Sequence, residues 1–294
     1  MDLSVILVSY NTAQITKECI ESIIASLSQS TIRYEIVALD NNSSDDSVAQ
    51  LSSLSKKYKQ LRVIENHENI GFGRGNNKAV AQARGTYVLL LNTDTVVLNT
   101  AIEKLYMHAV QHPDHHFVGG KLLNKDQSPQ PSCGPYYSLP IIFAALFLRG
   151  DYWNASRFSP TKTERVDWMS GACILTKKST FEDLGGFDED IFLYMEEVDL
   201  LHRAKKNKQY AYVLPEAHFI HYGSMSSGNK KFPILQVYKG FIYLYKKHHS
   251  PLAQRCLGFM LQLKADIAIV LGRLTGNTYL TQTYGEAKKL ISFS

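Results

Sequence analysis

Four apolar runs separated by stretches of helical spacing occupy residues 3–111, and this alternation restricts the fold more than any other feature of the chain. "SVILVSY" (4–10), "EIVAL" (35–39), "LRVIE" (61–65) and "YVLLL" (87–91) are short and largely apolar, as strands covered on both faces are. Between them Ile15, Ile20, Ile23, Ile24 and Leu27 recur at helical spacing, and Val48, Leu51 and Leu54 do the same. Asn11 and Gln14 stand at capping-box distance. A glycine- and asparagine-rich loop leads to a helix expected over 76–83, and Thr100 with Glu103 opens another that Pro113 ends. Strand and helix in this order predict an α/β fold, a mainly parallel sheet flanked by helices. Ligands of such sheets bind at the carboxyl ends of the strands. Here those ends carry Tyr10-Asn11, Asp40-Asn41, the stretch Asn69 to Asn77, and Asn92 to Asp94, which converge on one edge.

The chain's 294 residues, 45% apolar and 20% charged, suffice for a large core. A formal charge of +5 without a basic stripe argues against nucleic acid as partner. Four cysteines lie far apart with no C-x-x-C pair, which indicates reduced thiols and neither a zinc site nor a disulfide frame. The N-terminus has no basic region before its apolar stretch and reads as a first strand. No apolar run reaches the roughly 18 residues of a spanning helix. A cytoplasmic chain is expected, with peripheral contact at the inner face of the cell membrane open to it.

Beyond residue 111 the pattern changes. Residues 124–165 are proline-rich and aromatic without a clear period, an excursion expected to cover the site on its acceptor side. "VDWMSGACILTKK" (166–178) returns to strands, "YMEEVDLLHRAKK" (194–206) is helical, and "YAYVLP" is a further strand. From Pro233 onward the chain reads as apolar-aromatic helices. The expected division is a catalytic unit over 1–230 and a helical extension over 231–294 that meets a membrane surface or a second subunit.

Several residues carry candidate chemistry. The glycines at 71, 73 and 75 do not form G-x-G-x-x-G, because residue 76 is Asn, so a dinucleotide fingerprint is excluded. Asp94 after a buried strand is either an Asx-turn or a ligand for a hard divalent cation. Glu196, Glu197 and Asp199 complement the dipole of a helix start, and one of them can face a cleft as a general base. His221 at a strand end is either a satisfied polar group or a metal ligand. His108, His112, His115 and His116 also have ligand-like spacing but border a helix end, which favours surface residues.

Taken together and in order, "VILVSYN", "LDNNSSDDS", "NIGFGRGNN", "LLNTDT", "GACILTKKSTFEDLGGFDEDIFLYMEEVDL" and "AHFIHYGS" resemble the family 2 inverting glycosyltransferases of GT-A fold, in particular their rhamnosyltransferase-like branch. The resemblance spans about three-quarters of the chain, residues 3–224. It implies a nucleotide-diphospho-sugar donor and a glycan or lipid-linked acceptor in cell-envelope polysaccharide synthesis. Tyr10, Asn11, Asp40, Asn77 and Asn92 then match nucleotide-binding positions. Asp94 matches the last acid of the D-x-D motif that binds Mg²⁺ or Mn²⁺, with Asn92 in place of its first acid, and His221 matches a histidine that completes the metal shell. Glu197 matches the catalytic base, where Asp is more usual, with Glu196 its rival. The preferred donor is dTDP-rhamnose. Alternatives are a UDP-hexose donor, a sugar nucleotidyltransferase, whose Gly-rich first loop is replaced here by "SYNTAQ", and an inactive sugar-nucleotide-binding scaffold.

Overall fold

The computed structural model describes residues 1–223 and 231–291. The expected boundary at 230/231 and Ser224 of the last motif lie at or within residues outside that description. The first half runs β1 (Leu3–Ser9), α1 (Ala13–Ser26), β2 (Tyr34–Asp40), α2 (Ser47–Lys57), β3 (Leu61–Glu65), α3 (Phe72–Ala81), β4 (Tyr87–Leu91), β5 (Thr95–Val97), α4 (Ala101–Gln111) and β6 (His115–Leu123). There follow β7 (Cys133–Gly134), α5 (Leu139–Phe147), β8 (Glu164–Val166), β9 (Trp168–Met169), β10 (Cys173–Lys177), α6 (Lys178–Asp183), α7 (Glu196–Lys206) and β11 (Tyr210–His221). Helices α8 (Lys231–His248), α9 (Pro251–Thr275) and α10 (Thr278–Lys289) complete the chain.

The main sheet has the order β3-β2-β1-β4-β10-β6-β11-β5, with β8 paired to β11. Strands β3, β2, β1 and β4 are parallel, as the alternation predicts, and β10 enters antiparallel between β4 and β6. Successive residues of a strand point to opposite faces. Thus Val5, Leu7, Ile36 and Ala38 enter one core with Ile20, Ile23, Leu51 and Leu105 of α1, α2 and α4. Ile6, Val37 and Leu39 enter the other with Val80, Val198 and Leu201 of α3 and α7. Each fully buried aliphatic side chain contributes about 1.5–3 kcal/mol, so both faces must be covered, and they are. Tyr238, Phe241, Leu244 and Tyr245 of α8 belong to the second core, so the extension is packed against the helix that begins at Glu196.

Three local expectations are corrected. Helix α3 starts at Phe72, so Gly73 and Gly75 lie inside it. There a Cβ on Gly75 would stand 3.0 Å from Val8, and the helix approaches β1 because none is present. The Asn11–Gln14 capping box does not form, because the residue before the helix is Thr12 and Gln14 bonds Glu18 instead. The excursion contains a helix, α5, which its proline at the first turn starts rather than breaks.

Candidate active site

All four parallel strand ends open on one cavity of about 410 Å³. Tyr10, Asn41, Asn69 with Gly71, and Asn92 to Asp94 reach it from the parallel strands. Ser170 to Ala172, Glu196, Glu197 and His221 complete the wall, and Arg157 reaches in from the excursion. Asp94 and Glu197 therefore share one cleft.

The turn carrying Asp94 is held by its backbone. The Asn92 amide donates to the Ala172 carbonyl (3.0 Å), the Thr95 hydroxyl to the Asn92 carbonyl (2.7 Å), and the Tyr222 amide to the Asp94 carbonyl (2.9 Å). His221 Nδ1 lies 2.7 Å from Gln130 Oε1. Gln130 Nε2 donates to Asn124 Oδ1 and to the His221 carbonyl, which fixes the amide with its oxygen toward the ring. His221 Nδ1–H is thereby committed to Gln130. Its Nε2 then faces Asp94 Oδ1 at 3.4 Å, an ion pair if the ring is protonated and two facing acceptors if it is neutral. In the neutral ring a cation between them satisfies both. Beside them Asn92 Oδ1 is buried with no hydrogen-bond partner among the described residues. A carboxylate, an amide oxygen and an imidazole nitrogen form a donor set that fits Mg²⁺ or Mn²⁺.

Across the cavity the approach to α7 is strained. Tyr194 and Met195 are consecutive left-handed residues, φ +67° and +77°, neither of them glycine. Such residues cost of order 1–3 kcal/mol each and mark sites whose surroundings over-determine them. Gly240 of α8 supplies part of that constraint, since a Cβ there would lie 2.5 Å from the Met195 side chain. The strain delivers Glu196 and Glu197 together to the cavity wall, where the first helical turn expectation had only one carboxylate facing inward. Burial pushes Glu197 up to about 7. Burial and the neighbouring Glu197 carboxyl push Glu196 up as well. Glu196 is 4% exposed and its Oε2 has no hydrogen-bond partner among the described residues.

Asp199, the third acid, is fully buried and bonded to the scaffold. It accepts from Arg203 Nε (2.7 Å), pairs with Lys247 Nζ (2.9 Å) and lies 2.7 Å from His248 Nε2. Burial raises its pKa, and Arg203, Lys247 and His248 together hold it below the ordinary carboxylate value. This cluster ties α7 to α8. Asp199→Ala leaves Arg203 without its carboxylate, Lys247 with Asp188 alone and His248 without its partner, and is expected to destabilise the fold by about 3–5 kcal/mol, read as a drop in Tm.

The structure brings Tyr10, Asn92, Asp94, Glu196, Glu197 and His221 together, and leaves three expected residues off the cavity wall. Both Asp40 oxygens accept from Ser43, from its amide (2.9 Å) and its hydroxyl (2.6 Å), and the residue is fully buried. Asn11 is tied to the same loop, its amide donating to Ser43 Oγ and its Oδ1 accepting from the Ser44 amide. The Asn77 side chain accepts from the Phe187 amide (2.9 Å) and donates to the Phe187 carbonyl (2.8 Å), which uses both its polar atoms on the 186–189 turn. The sequence placed Asn41 only as part of the Asp40-Asn41 strand end and did not single out Arg157. Asn41 is 2% exposed and bonds Asn69, the Gly71 carbonyl, Asn66 and the Ile70 amide. Its place right after Asp40 was its one signal. Arg157 pairs with Asp151 at the cavity rim, in a stretch without periodicity.

Residues 4–162 match the family model described as glycosyl transferase family 2. The N-acetylglucosaminyl-diphospho-decaprenol L-rhamnosyltransferase of Mycobacterium tuberculosis is 28% identical over 246 residues, covering 77% of this chain and 79% of that protein. The rhamnosyltransferase WbbL of Escherichia coli is 26% identical over 228 residues, 74% of this chain and 82% of that one. Among solved structures, the mannosyltransferase PcManGT from Pyrobaculum calidifontis, in complex with GDP-Man and Mn²⁺, superposes with a TM-score of 0.58 at 16% identity. That likeness covers 97% of this chain and 73% of the other, and concerns the fold. With more than half its length matched by the family model, the chain belongs to glycosyl transferase family 2: it is a rhamnosyltransferase-like glycosyltransferase of GT-A fold.

Proposed function

We propose that the chain is an inverting, metal-dependent transferase that moves rhamnose from dTDP-rhamnose to a glycan or lipid-linked acceptor in cell-envelope polysaccharide synthesis. The observation that carries this reading is the Asp94–His221 pair, a carboxylate oxygen and an imidazole nitrogen 3.4 Å apart in the cavity that also holds Glu197. Asp94, His221 and Asn92 would hold the divalent ion. When bound, that ion neutralises the donor's diphosphate and stabilises the departing nucleotide as a Lewis acid. Tyr10 and Asn41 line the end of the cavity nearest the first two strands and suit the nucleoside. Glu197 takes the proton of the acceptor hydroxyl while that oxygen attacks the anomeric carbon. The bond from that carbon to the diphosphate oxygen breaks, its electron pair leaves with the nucleotide, and the single displacement inverts the centre. Arg157 at the rim can offer its guanidinium to an anionic acceptor.

The donor assignment rests on similarity to the two rhamnosyltransferases. Nucleotide release with dTDP-rhamnose, UDP-glucose and GDP-mannose, each with Mn²⁺ or Mg²⁺, tests it. Metal-dependent release is expected from dTDP-rhamnose. Release confined to UDP-glucose would move the donor to the UDP-hexoses, and saturable binding without release from any donor would mean an inactive binding protein.

The acceptor reading has its own support. No helix among the described residues is long and apolar enough to cross a membrane. Helix α9 nevertheless exposes Leu252, Cys256, Phe259, Leu263, Ile267, Val270 and Leu274, three or four residues apart along one face. At helical periodicity Arg255 and Arg273 flank one side of this stripe and Lys264 the other. Asp266, on the arginine border, is paired with Lys288 (2.7 Å). Lys264 Nζ donates to the Leu146 carbonyl of α5, whose loop ends in the exposed Tyr152 and Trp153. An apolar stripe with a basic rim and neighbouring aromatics suits an anionic lipid surface. A second copy would set arginine against arginine at the ends of a paired α9. Sedimentation with anionic vesicles is expected to pull down the chain and to lose it in Phe259→Glu/Ile267→Glu. Equal sedimentation of that variant, or a dimer that the variant dissociates, would contradict the membrane reading.

A further inference from the structure

A second cluster of metal-ligating side chains lies outside the cleft, at the turn from α4 into β6. His108 stands in the last turn of α4, His112 caps the helix, and His115 begins the strand. Backbone bonds fix the turn: the His112 amide donates to the His108 carbonyl and the His115 amide to the His112 carbonyl, each at 2.9 Å. Pro113 between them limits it further. The turn gathers the three imidazoles, with ring centroids 4.4–5.0 Å apart. Asp114 adds a carboxylate. One ligand atom from each of His112, Asp114 and His115 lies within 4.8 Å of the other two. Ligand atoms around a tetrahedral zinc stand roughly 3.4 Å apart, so an ion would draw the set in from that spacing.

We propose that His112, Asp114 and His115 form a binding site for a divalent transition ion of the zinc class, separate from the cleft. Two imidazoles and one carboxylate leave a fourth tetrahedral position for water. The ligand type favours zinc, nickel or copper over the hard Mg²⁺. His115 is oriented on two sides. Its ring stacks on Tyr212 at 3.5 Å, nearly parallel, and its Nδ1 lies 2.9 Å from His108 Nε2. With His115 Nδ1–H donating to His108, the Nε2 lone pair of His115 is free to ligate, and His108 acts as the orienting partner that metal-bound histidines commonly have. Asp114 and Glu216 supply negative potential at the cluster. An ion there would clip the end of α4 to the start of β6.

Equilibrium dialysis against Zn²⁺ with metal analysis tests this on the full chain. His112→Ala/His115→Ala is expected to lose one bound zinc relative to the parent chain. Asp94→Ala keeps that zinc, which separates this site from the cleft. His108→Ala is expected to weaken binding roughly 10–100-fold. Unchanged stoichiometry in the double variant, or loss of all zinc in Asp94→Ala, would overturn the site. Should the double variant fail to fold, the parent chain still decides: Zn²⁺ must shift the imidazole NMR signals of His112 and His115, and signals that do not move refute the proposal.

Discussion

Replacing Glu197 by Gln is expected to lower sugar transfer by about 10²–10⁴-fold, the range of a lost general base, while donor binding is retained. Glutamine keeps the size of the side chain and cannot accept the acceptor's proton. Glu196→Gln should behave differently. The residue is 4% exposed, and burial and Glu197 raise its pKa, which favours the neutral form that glutamine imitates. Kinetics of the two variants decide the assignment, and a severe loss confined to Glu196→Gln would exchange the roles. The pH profile follows from the same cause. Glu197 titrates at about 7, so the base is progressively protonated below that point. The rate is expected to fall about tenfold per pH unit on the acid side and to level off above. The sign for stability is opposite. The folded form binds the Glu197 proton more tightly than the unfolded chain, so this residue's contribution is full below the ordinary glutamate value and is lost as pH rises through about 7. Glu197→Gln should flatten that slope.

The second large effect is expected from Asp94→Ala. Without this carboxylate, His221 Nε2 and Asn92 Oδ1 remain as neutral donors, a weak set for a hard dication. Loss of Lewis-acid stabilisation worth several kcal/mol corresponds to at least about 10²-fold in turnover. Raising Mn²⁺ should recover little of it. Residual activity that is independent of metal and close to the parent's would show that Asp94 serves only its turn.

The sequence made the scaffold legible for a physical reason. Strands covered on both faces must be apolar throughout, so β1 to β4 announced themselves, and their ends located Tyr10, Asn92 and Asp94 at the ligand edge. His221 and the acidic pair were reachable through the family resemblance. What stayed hidden depends on contacts distant in sequence. Gly73 and Gly75 read as loop residues because glycine is a poor helix former, yet they let α3 approach Phe187 and Val8. Asn77 sits where a nucleotide contact was expected, but its amide matches the Phe187 backbone, 110 positions away. The left-handed pair Tyr194-Met195 has no local signature either, because α8 packing on it through Gly240 is what sustains it.

The central claim is that Asp94 and His221 share a cation that the nucleotide-sugar donor also needs. Electron paramagnetic resonance of Mn²⁺, titrated with and without dTDP-rhamnose, measures this directly. Mn²⁺ should bind the parent chain and Glu197→Gln more tightly once the donor is present, and that gain should vanish in Asp94→Ala. Mn²⁺ and donor binding to Asp94→Ala as tightly as to the parent would contradict the account.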